Sequence, residues 1–106
     1  MIAIIDYGMG NLRSVQKAFE FLGFEAIITD KPEMIQKADK VILPGVGAFA
    51  DAIKTIREKK IDKEINKIVE EKKPFMGICL GMQLMFEKSY EYGEHEGLGI
   101  LKGKIV

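Results

Sequence analysis

The sequence predicts an α/β fold in which a parallel β-sheet carries helices on both faces. Two observations lead to this prediction: short β-branched runs alternate with segments of helical periodicity, and the strands are apolar at almost every position, as is typical of parallel strands buried on both faces. A third observation concerns glycine-rich segments, which lie at the ends of predicted strands at 6–11, 44–47 and 77–81. Ligands of such sheets bind beyond the carboxyl ends of the strands, so these segments are candidates for a site.

The first part of the chain is predicted to contain three strands, at 2–5, 26–28 and 41–43. Asn11 is a residue type that caps helices, and Gly23 suits the left-handed position just after a helix end. Pro32 begins a short second helix. The apolar residues expected on the buried face of the first helix are Leu12, Val15, Phe19 and Leu22.

The second part of the chain is predicted to contain three helices and two strands. Helices are expected over 48–58, over 61–69, where apolar residues recur at i, i+4, i+7 and i+8, and over 80–86. Strands are expected at 75–78 and, from a weak alternation, at 100–106, while the charged segment 90–99 is typical of a loop. No repeat or linker interrupts the chain, so one domain is expected.

Composition excludes several function classes. Sixteen Lys and Arg residues balance sixteen Asp and Glu residues, so no net charge attracts nucleic acid. One cysteine and one histidine allow no internal disulfide and argue against a zinc site, and we expect neither a metal nor a cofactor. We expect no secretory signal, and no apolar run long enough to span a membrane is present in the sequence. A cytoplasmic location without membrane contact is therefore expected.

Cys79 lies between Gly77 and Gly81, where a predicted strand passes directly into a helix. This is the sulfur counterpart of the G-x-S-x-G nucleophile elbow, a turn too tight for a Cβ at the flanking glycines. The strained backbone points the sulfur out of the sheet, the helix start favours the thiolate, and the Leu80 N–H faces a developing oxyanion. A lone cysteine is more often a buried structural residue, but this setting favours a nucleophile.

The segment Pro44-Gly45-Val46-Gly47 is a second candidate. Its glycines let a backbone N–H approach a ligand closely, and a loop that faces the elbow would supply a second oxyanion donor. Taken alone, the segment is more typical of an ordinary turn at a strand end.

Other motifs favour structural interpretations. The Gly8-x-Gly10 pair lacks the third glycine of a dinucleotide fingerprint, because Arg13 occupies that place, and a tight turn before a helix explains it better. His95 is the only imidazole available as a base for Cys79, and a solvated loop position is its default interpretation. Three methionines near the elbow are expected to fill the core: Met76, Met82 and Met85.

The stretch Gly77-Ile78-Cys79-Leu80-Gly81-Met82-Gln83 closely resembles the cysteine motif of class I glutamine amidotransferases. Together with Asp6-Tyr7-Gly8-Met9-Gly10-Asn11-Leu12 and Leu43-Pro44-Gly45-Val46-Gly47-Ala48-Phe49, it is similar to the amidotransferase subunits of imidazole glycerol phosphate synthases. The resemblance runs from Met1 to Val106. It implies a flavodoxin-like, class I amidotransferase-like sheet.

The resemblance also implies an activity and a partner. Cys79 would attack the side-chain amide of glutamine, and the released ammonia would pass to a (β/α)8-barrel cyclase subunit in histidine biosynthesis. The Asn11 loop would lie toward that partner. The implied site residues are an oxyanion loop of Gly45, Val46 and Gly47 with the Leu80 N–H, and the substrate-binding residues Gln83 and Glu91.

One departure from the family is important. Its members are considerably longer and take their catalytic His and Glu from a His-x-Glu near the C-terminus, whereas His95-Glu96 lacks that spacing. We therefore expect residues 1–106 to be the N-terminal part of a single amidotransferase domain, with a truncated sheet and little glutaminase activity of its own.

Two alternatives stay open. One is a non-catalytic interaction half-domain that docks on the cyclase or on itself, and the other is a different cysteine hydrolase on a flavodoxin-like sheet, such as a peptidase or deglycase relative. The leucine after Cys79 and the presence of Gln83 argue against the second alternative.

Overall fold

The structure is a computed structural model that describes residues 1–8, 11–45, 47–89 and 94–105. Its elements in chain order are β1 (Ile2–Ile5), α1 (Leu12–Phe21), β2 (Ala26–Thr29), α2 (Pro32–Lys37), β3 (Lys40–Leu43), α3 (Phe49–Glu58), α4 (Ile61–Glu70), β4 (Phe75–Gly77), α5 (Leu80–Leu84), β5 (Phe86–Ser89), β6 (His95–Glu96) and β7 (Leu101–Ile105).

The main sheet contains four parallel strands in the order β2-β1-β3-β4. In its register Ile4 lies beside Ile28 on one side and beside Ile42 on the other, and Ile42 in turn lies beside Met76. The predicted parallel sheet is confirmed. Because β1, β3 and β4 are neighbours, the segments that follow these three strands emerge side by side.

The two faces of the main sheet are covered unequally. Alternate residues of a strand point to opposite faces, and the buried residues accordingly form two clusters. One cluster joins the sheet to α2, α3, α4 and α5, with Ile35, Ile56 and Ile65 among its fully buried members. The other joins Ile4 and Ile42 to the apolar side of α1 alone. Most of the core therefore lies on the face opposite α1.

The helices follow the predicted apolar stripes, with two corrections in α1. Gly23 has φ +90° as expected, and its N–H donates to the Glu20 carbonyl at 3.0 Å. Asn11 precedes the first helical residue, but its side chain makes no capping hydrogen bond. Leu22 was expected on the buried face and is 66% exposed; it follows the last helical residue, Phe21, at the end of the helix.

The segment after α5 differs from the prediction. The helix expected through residue 86 ends at Leu84, the expected loop contains β6, and β5 forms a separate sheet in the order β6-β5-β7. The strand expected at 100–106 is confirmed as β7, which pairs with β5 in parallel. Gly97 packs so closely against the start of β5 that a Cβ on it would lie 2.2 Å from the Phe86 carbonyl oxygen. This non-local pairing overrides the helical pattern of a short segment.

The expectation that the chain makes no membrane contact can be compared with the length and hydropathy of its helices. Within the described ranges, the structure contains no helix that is both long enough and apolar enough to cross a bilayer.

Replacing Ile65, which is fully buried in the larger cluster, tests this packing. We expect Ile65→Ala to lower the free energy of unfolding by about 2–5 kcal/mol, because a cavity replaces packed methyl groups. Leu22→Ala is the matched control and is expected to change it by less than about 0.5 kcal/mol. Urea unfolding followed by circular dichroism measures both, and equal effects would contradict the described core.

Candidate functional site

Cys79 occupies the bend between β4 and α5. Its backbone has φ +53° and ψ −118°, a left-handed conformation that residues with a Cβ rarely adopt. The bend is closed by the Gly81 N–H, which donates to the Ile78 carbonyl at 2.9 Å, and by the Met82 N–H, which donates to the Cys79 carbonyl at 3.0 Å. The cysteine is exposed. Its surroundings thus match the predicted elbow geometry rather than those of a buried structural cysteine.

The two glycines that flank Cys79 have no room for a side chain. A Cβ on Gly81 would lie 1.8 Å from the Leu43 carbonyl oxygen, at the end of β3, and a Cβ on Gly77 would lie 2.7 Å from the Met82 backbone nitrogen. Real Cβ atoms do not approach other atoms this closely. The spacing of two residues on either side of the cysteine is therefore required by backbone packing.

The loop after β3 lies directly against this bend. The Leu80 N–H donates to the Gly45 carbonyl at 3.2 Å, so the structure brings together the two segments from which oxyanion donors were predicted. In this arrangement the Leu80 N–H is already paired with a protein carbonyl. Gly47 is exposed and has φ +105°, while Val46 lies outside the described residues.

Tyr7 supports the loop after β3, and the sequence analysis missed it. Its side chain is fully buried, its hydroxyl donates to the Pro44 carbonyl at 2.5 Å, and a Cβ on Gly45 would lie 2.1 Å from that hydroxyl. Burial of the phenol raises the pKa of Tyr7 to about 12. The signal available in the sequence was a tyrosine two residues after an apolar strand, at the end of the sheet where the Pro-Gly loop was expected.

The segment around Tyr7 otherwise follows the prediction of a tight turn. The Gly8 N–H donates to the Asp6 side-chain carboxylate at 3.0 Å, and Gly8 has φ +86°. Gly10 lies outside the described residues.

The predicted substrate and partner residues are placed as follows. Gln83 is half-buried on α5, and its N–H donates to the Cys79 carbonyl at 3.3 Å, which puts it one turn from the thiol. Asn11 is exposed just before α1. Glu91 lies outside the described residues. Their predicted roles in binding glutamine or a partner stay predictions.

Two expectations about neighbouring residues are wrong. His95 is half-buried in β6, opposite Ser89 of β5, rather than in a solvated loop, because its segment pairs with β5. Met76 and Met82 are 52% and 45% exposed, whereas core positions were expected. Met76 is exposed because β4 is an edge strand of the main sheet in the described residues and α1 packs against Ile4 and Ile42 rather than over it; Met82 lies on α5. Met85 is half-buried.

Metal binding has no support in the described ranges, where no three His, Cys, Asp or Glu side chains are grouped to hold an ion.

The comparisons with known proteins agree with this geometry. The family described as "Glutamine amidotransferase class-I" matches residues 3–101. The imidazole glycerol phosphate synthase subunit HisH of Aquifex aeolicus is 56% identical over 104 residues, which is 97% of this chain and 50% of the relative. The subunit of the same name from Sulfurimonas denitrificans is 55% identical over 106 residues, 100% of this chain and 51% of the relative. The chain thus spans about half the length of these relatives.

Solved structures share the fold. A crystal structure of a glutamine amidotransferase superposes with a TM-score of 0.81 at 28% identity and covers 98% of this chain and 55% of that protein. A protein from Listeria monocytogenes assigned as a peptidase E superposes with a TM-score of 0.78 at 15% identity, covering 94% of this chain and 62% of that protein. The second similarity shows the fold alone.

The close packing of Gly81 generates a prediction. We expect Gly81→Ala to destabilise the protein by about 3 kcal/mol, because the new methyl group must displace the end of β3. Gly99→Ala is the matched control: Gly99 has φ +69° with open space around it, so only about 1–2 kcal/mol of backbone strain is expected. Urea unfolding of both variants measures the difference, and a Gly81→Ala variant as stable as the control would contradict the described bend.

The buried phenol of Tyr7 generates a second prediction. Its pKa is about 12 in the folded chain and about 10 when unfolded. The contribution of the phenol to the free energy of unfolding is therefore fully present below about pH 10. It is lost as the pH rises toward 12, because the unfolded chain ionises first. Two pKa units correspond to at most about 2.7 kcal/mol.

Tyr7→Phe removes this titration while Tyr90 and Tyr92 stay in both proteins. We expect the variant to be about 1–3 kcal/mol less stable at pH 7, because the Pro44 carbonyl loses its donor, and we expect the gap to narrow above pH 10. Unfolding curves between pH 7 and pH 12 measure the gap. A constant gap over this range would show that the hydroxyl does not titrate as described.

Proposed function

The chain belongs to the class I glutamine amidotransferase family, and from this membership we propose that its residues form the nucleophile half of a glutamine-hydrolysing site. The observation that supports this proposal best is the bend at Cys79, which holds an exposed thiol in a strained backbone beside the loop of Gly45. Residues 1–106 would be the N-terminal part of a single amidotransferase domain.

The proposed chemistry begins with the Cys79 thiolate. Its sulfur attacks the carbon of the glutamine side-chain amide and forms a tetrahedral intermediate, whose carbon–nitrogen bond then breaks. The leaving nitrogen takes up a proton and departs as ammonia, leaving a glutamyl thioester. Water attacks the thioester, which releases glutamate and restores the thiol.

The proton transfers need a general base, which typically contributes about 10²–10⁴-fold to the rate. The family resemblance assigns this base to a His-x-Glu segment, and residues 1–106 contain no such spacing. We therefore propose that these residues by themselves release little ammonia from glutamine.

The oxyanion would be stabilised by the Leu80 N–H and by the loop of Gly45, Val46 and Gly47. Each such donor is worth about 2.7–4 kcal/mol of transition-state stabilisation. Because the Leu80 N–H donates to the Gly45 carbonyl, that hydrogen bond must open before the N–H can serve the reaction. Tyr7 holds the preceding Pro44 carbonyl, so the movement would begin after Pro44.

The rest of the proposal concerns substrate and partner. Gln83 and Glu91 would hold glutamine, and ammonia would pass to a (β/α)8-barrel cyclase subunit in the synthesis of imidazole glycerol phosphate, with Asn11 on the side of that partner. The names of the matched relatives support a role in such a synthase. A cytoplasmic location follows from the same assignment.

A non-catalytic interaction half-domain is the second candidate function. The paired Leu80 N–H and the exposed Met76 beside the bend favour it, since both leave the site incomplete in the described residues.

Labelling of Cys79 with a glutamine-analogue electrophile tests the proposal. We expect the ratio of the labelling rate with the analogue to the rate with iodoacetamide to be higher in the native chain than in the urea-unfolded chain. The reason is that the proposed native site orients the analogue beside the thiolate. Free glutamine should slow the labelling.

Cys79→Ser is the control and should not react. A preference identical in native and unfolded chains, with no protection by glutamine, would contradict the proposed site and leave the interaction half-domain as the better description.

A further inference from the structure

The helix that follows the candidate nucleophile depends on a segment later in the chain. α5 has only five residues, and a helix this short is stable only through tertiary contacts. Residues 97–101, which we call the strap, supply hydrogen bonds at its end. The Leu98 N–H donates to the Leu84 carbonyl at 2.8 Å. The Leu101 N–H donates to the Met85 carbonyl at 2.9 Å. The strap therefore caps the carboxyl end of α5.

The strap is also held by α3, through two side chains that lie about two turns apart on that helix. The guanidinium of Arg57 donates to the Glu96 carbonyl at 3.3 Å and to the Gly97 carbonyl at 3.2 Å. The ring of Phe49 lies so near that a Cβ on Gly97 would be 3.1 Å from it. Phe49 is buried and Arg57 is exposed. An apolar contact and a charge-assisted contact thus converge on the same glycine.

One peptide group of the strap joins α3 to α5. The Gly97 carbonyl and the Leu98 N–H belong to the same planar peptide, in which they point in opposite directions. The carbonyl accepts from Arg57, and the N–H donates to the Leu84 carbonyl. Hydrogen bonds in such a chain polarise one another. Arg57 therefore strengthens and orients the peptide that caps the helix.

The preceding peptide group makes a parallel connection to β5. Its Glu96 carbonyl accepts from Arg57, and its Gly97 N–H donates to the Glu87 carbonyl at 2.8 Å. One side chain of α3 thus fixes two successive peptides, which are bonded on their other side to the end of α5 and to β5.

Both helices that the strap joins begin at the candidate site. α3 begins two residues after Gly47, and α5 begins directly after Cys79. In the structure the Leu80 N–H also ties the two segments together by donating to the Gly45 carbonyl. The proposed chemistry requires that hydrogen bond to open. The connection through the strap is then a contact that still sets α5 relative to α3.

We propose that Arg57 is a positioning residue of the glutamine site. By holding the strap, it fixes the direction of α5 relative to α3, and hence the place of the Cys79 sulfur relative to the loop of Gly45. The inference rests on the proposed function, because this placement matters only if both segments act on one substrate. A misplacement of about 1 Å, even one caused far from the reacting atoms, can slow a reaction about 100-fold.

The test compares two reagents that alkylate Cys79. In a glutamine-analogue chloroketone the ketone takes the place of the amide carbonyl, whereas iodoacetamide needs no oriented binding; in both, the sulfur displaces a halide. Arg57→Met removes the guanidinium and keeps an unbranched side chain that suits a helix. Lys54→Met is the matched control, because Lys54 lies one turn earlier on α3 and is 76% exposed, with its ammonium 4.0 Å from Glu58.

We expect Arg57→Met to lower the ratio of the chloroketone rate to the iodoacetamide rate at least about fivefold in the native chain. The iodoacetamide rate itself should not change, because the thiol stays exposed. Lys54→Met should leave the ratio unchanged. Arg57→Lys should recover part of it, since an ammonium can donate to the same carbonyls. An unchanged ratio in Arg57→Met would overturn the proposal, as would an Arg57→Lys variant no better than Arg57→Met.

Amide hydrogen exchange supplies a readout that involves no glutamine analogue. In Arg57→Met the Leu98 N–H should exchange at least about fivefold faster, because its peptide loses a charge-assisted hydrogen bond. The Lys73 N–H, which donates to the Ile68 carbonyl at 3.0 Å beyond the end of α4, should keep its rate. An unchanged rate at Leu98 would overturn the proposal. Equal acceleration at both amides would also overturn it, because it would indicate a general loss of stability.

The proposed function and this inference fail in different ways. An unsubstituted chain with the same rate ratio in its native and urea-unfolded states would contradict the proposed function. An unsubstituted chain with a high native ratio that Arg57→Met leaves intact would contradict the role of Arg57 alone.

Discussion

The contact between the bend at Cys79 and the end of β3 is the constraint on which the rest of the site depends. Gly81 lies against the Leu43 carbonyl with no space for a Cβ, and the Leu80 N–H donates to Gly45. These backbone contacts hold α5 against the strand end and keep Cys79 at φ +53°. Strain of this kind persists only where the surrounding structure determines it, and here packing between adjacent strand ends does so.

The strand order explains why three distant segments meet at this place. Because β1, β3 and β4 are adjacent and parallel, their carboxyl ends deliver Tyr7, Gly45 and Cys79 to one edge of the sheet. Tyr7 then anchors Pro44 from beneath, while Cys79 remains exposed. The site is thus built from residues far apart in sequence, and Tyr7 and Leu80 tie it to the larger buried cluster.

Much of this arrangement could be predicted from local patterns. The glycines around Cys79 predicted the bend because a turn this tight leaves no room for a Cβ on either side of the cysteine. The β-branched runs predicted the strands of the main sheet. Other features depend on contacts between distant segments. The end of α5 and the strand at His95 result from pairing in the second sheet, and the exposure of Met76 results from an uncovered edge. The buried hydrogen bond of Tyr7 likewise needs the position of Pro44.

The absence of space at Gly81 has an evolutionary consequence. A substitution there cannot be accommodated by a side chain changing rotamer, because the obstacle is the Leu43 main chain. Only a shift of the β3 strand end would make room, and that shift would also move the loop of Gly45. A relative in which Cys79 is replaced would therefore still be held to the same backbone path, so that the shape of the bend should outlast the thiol.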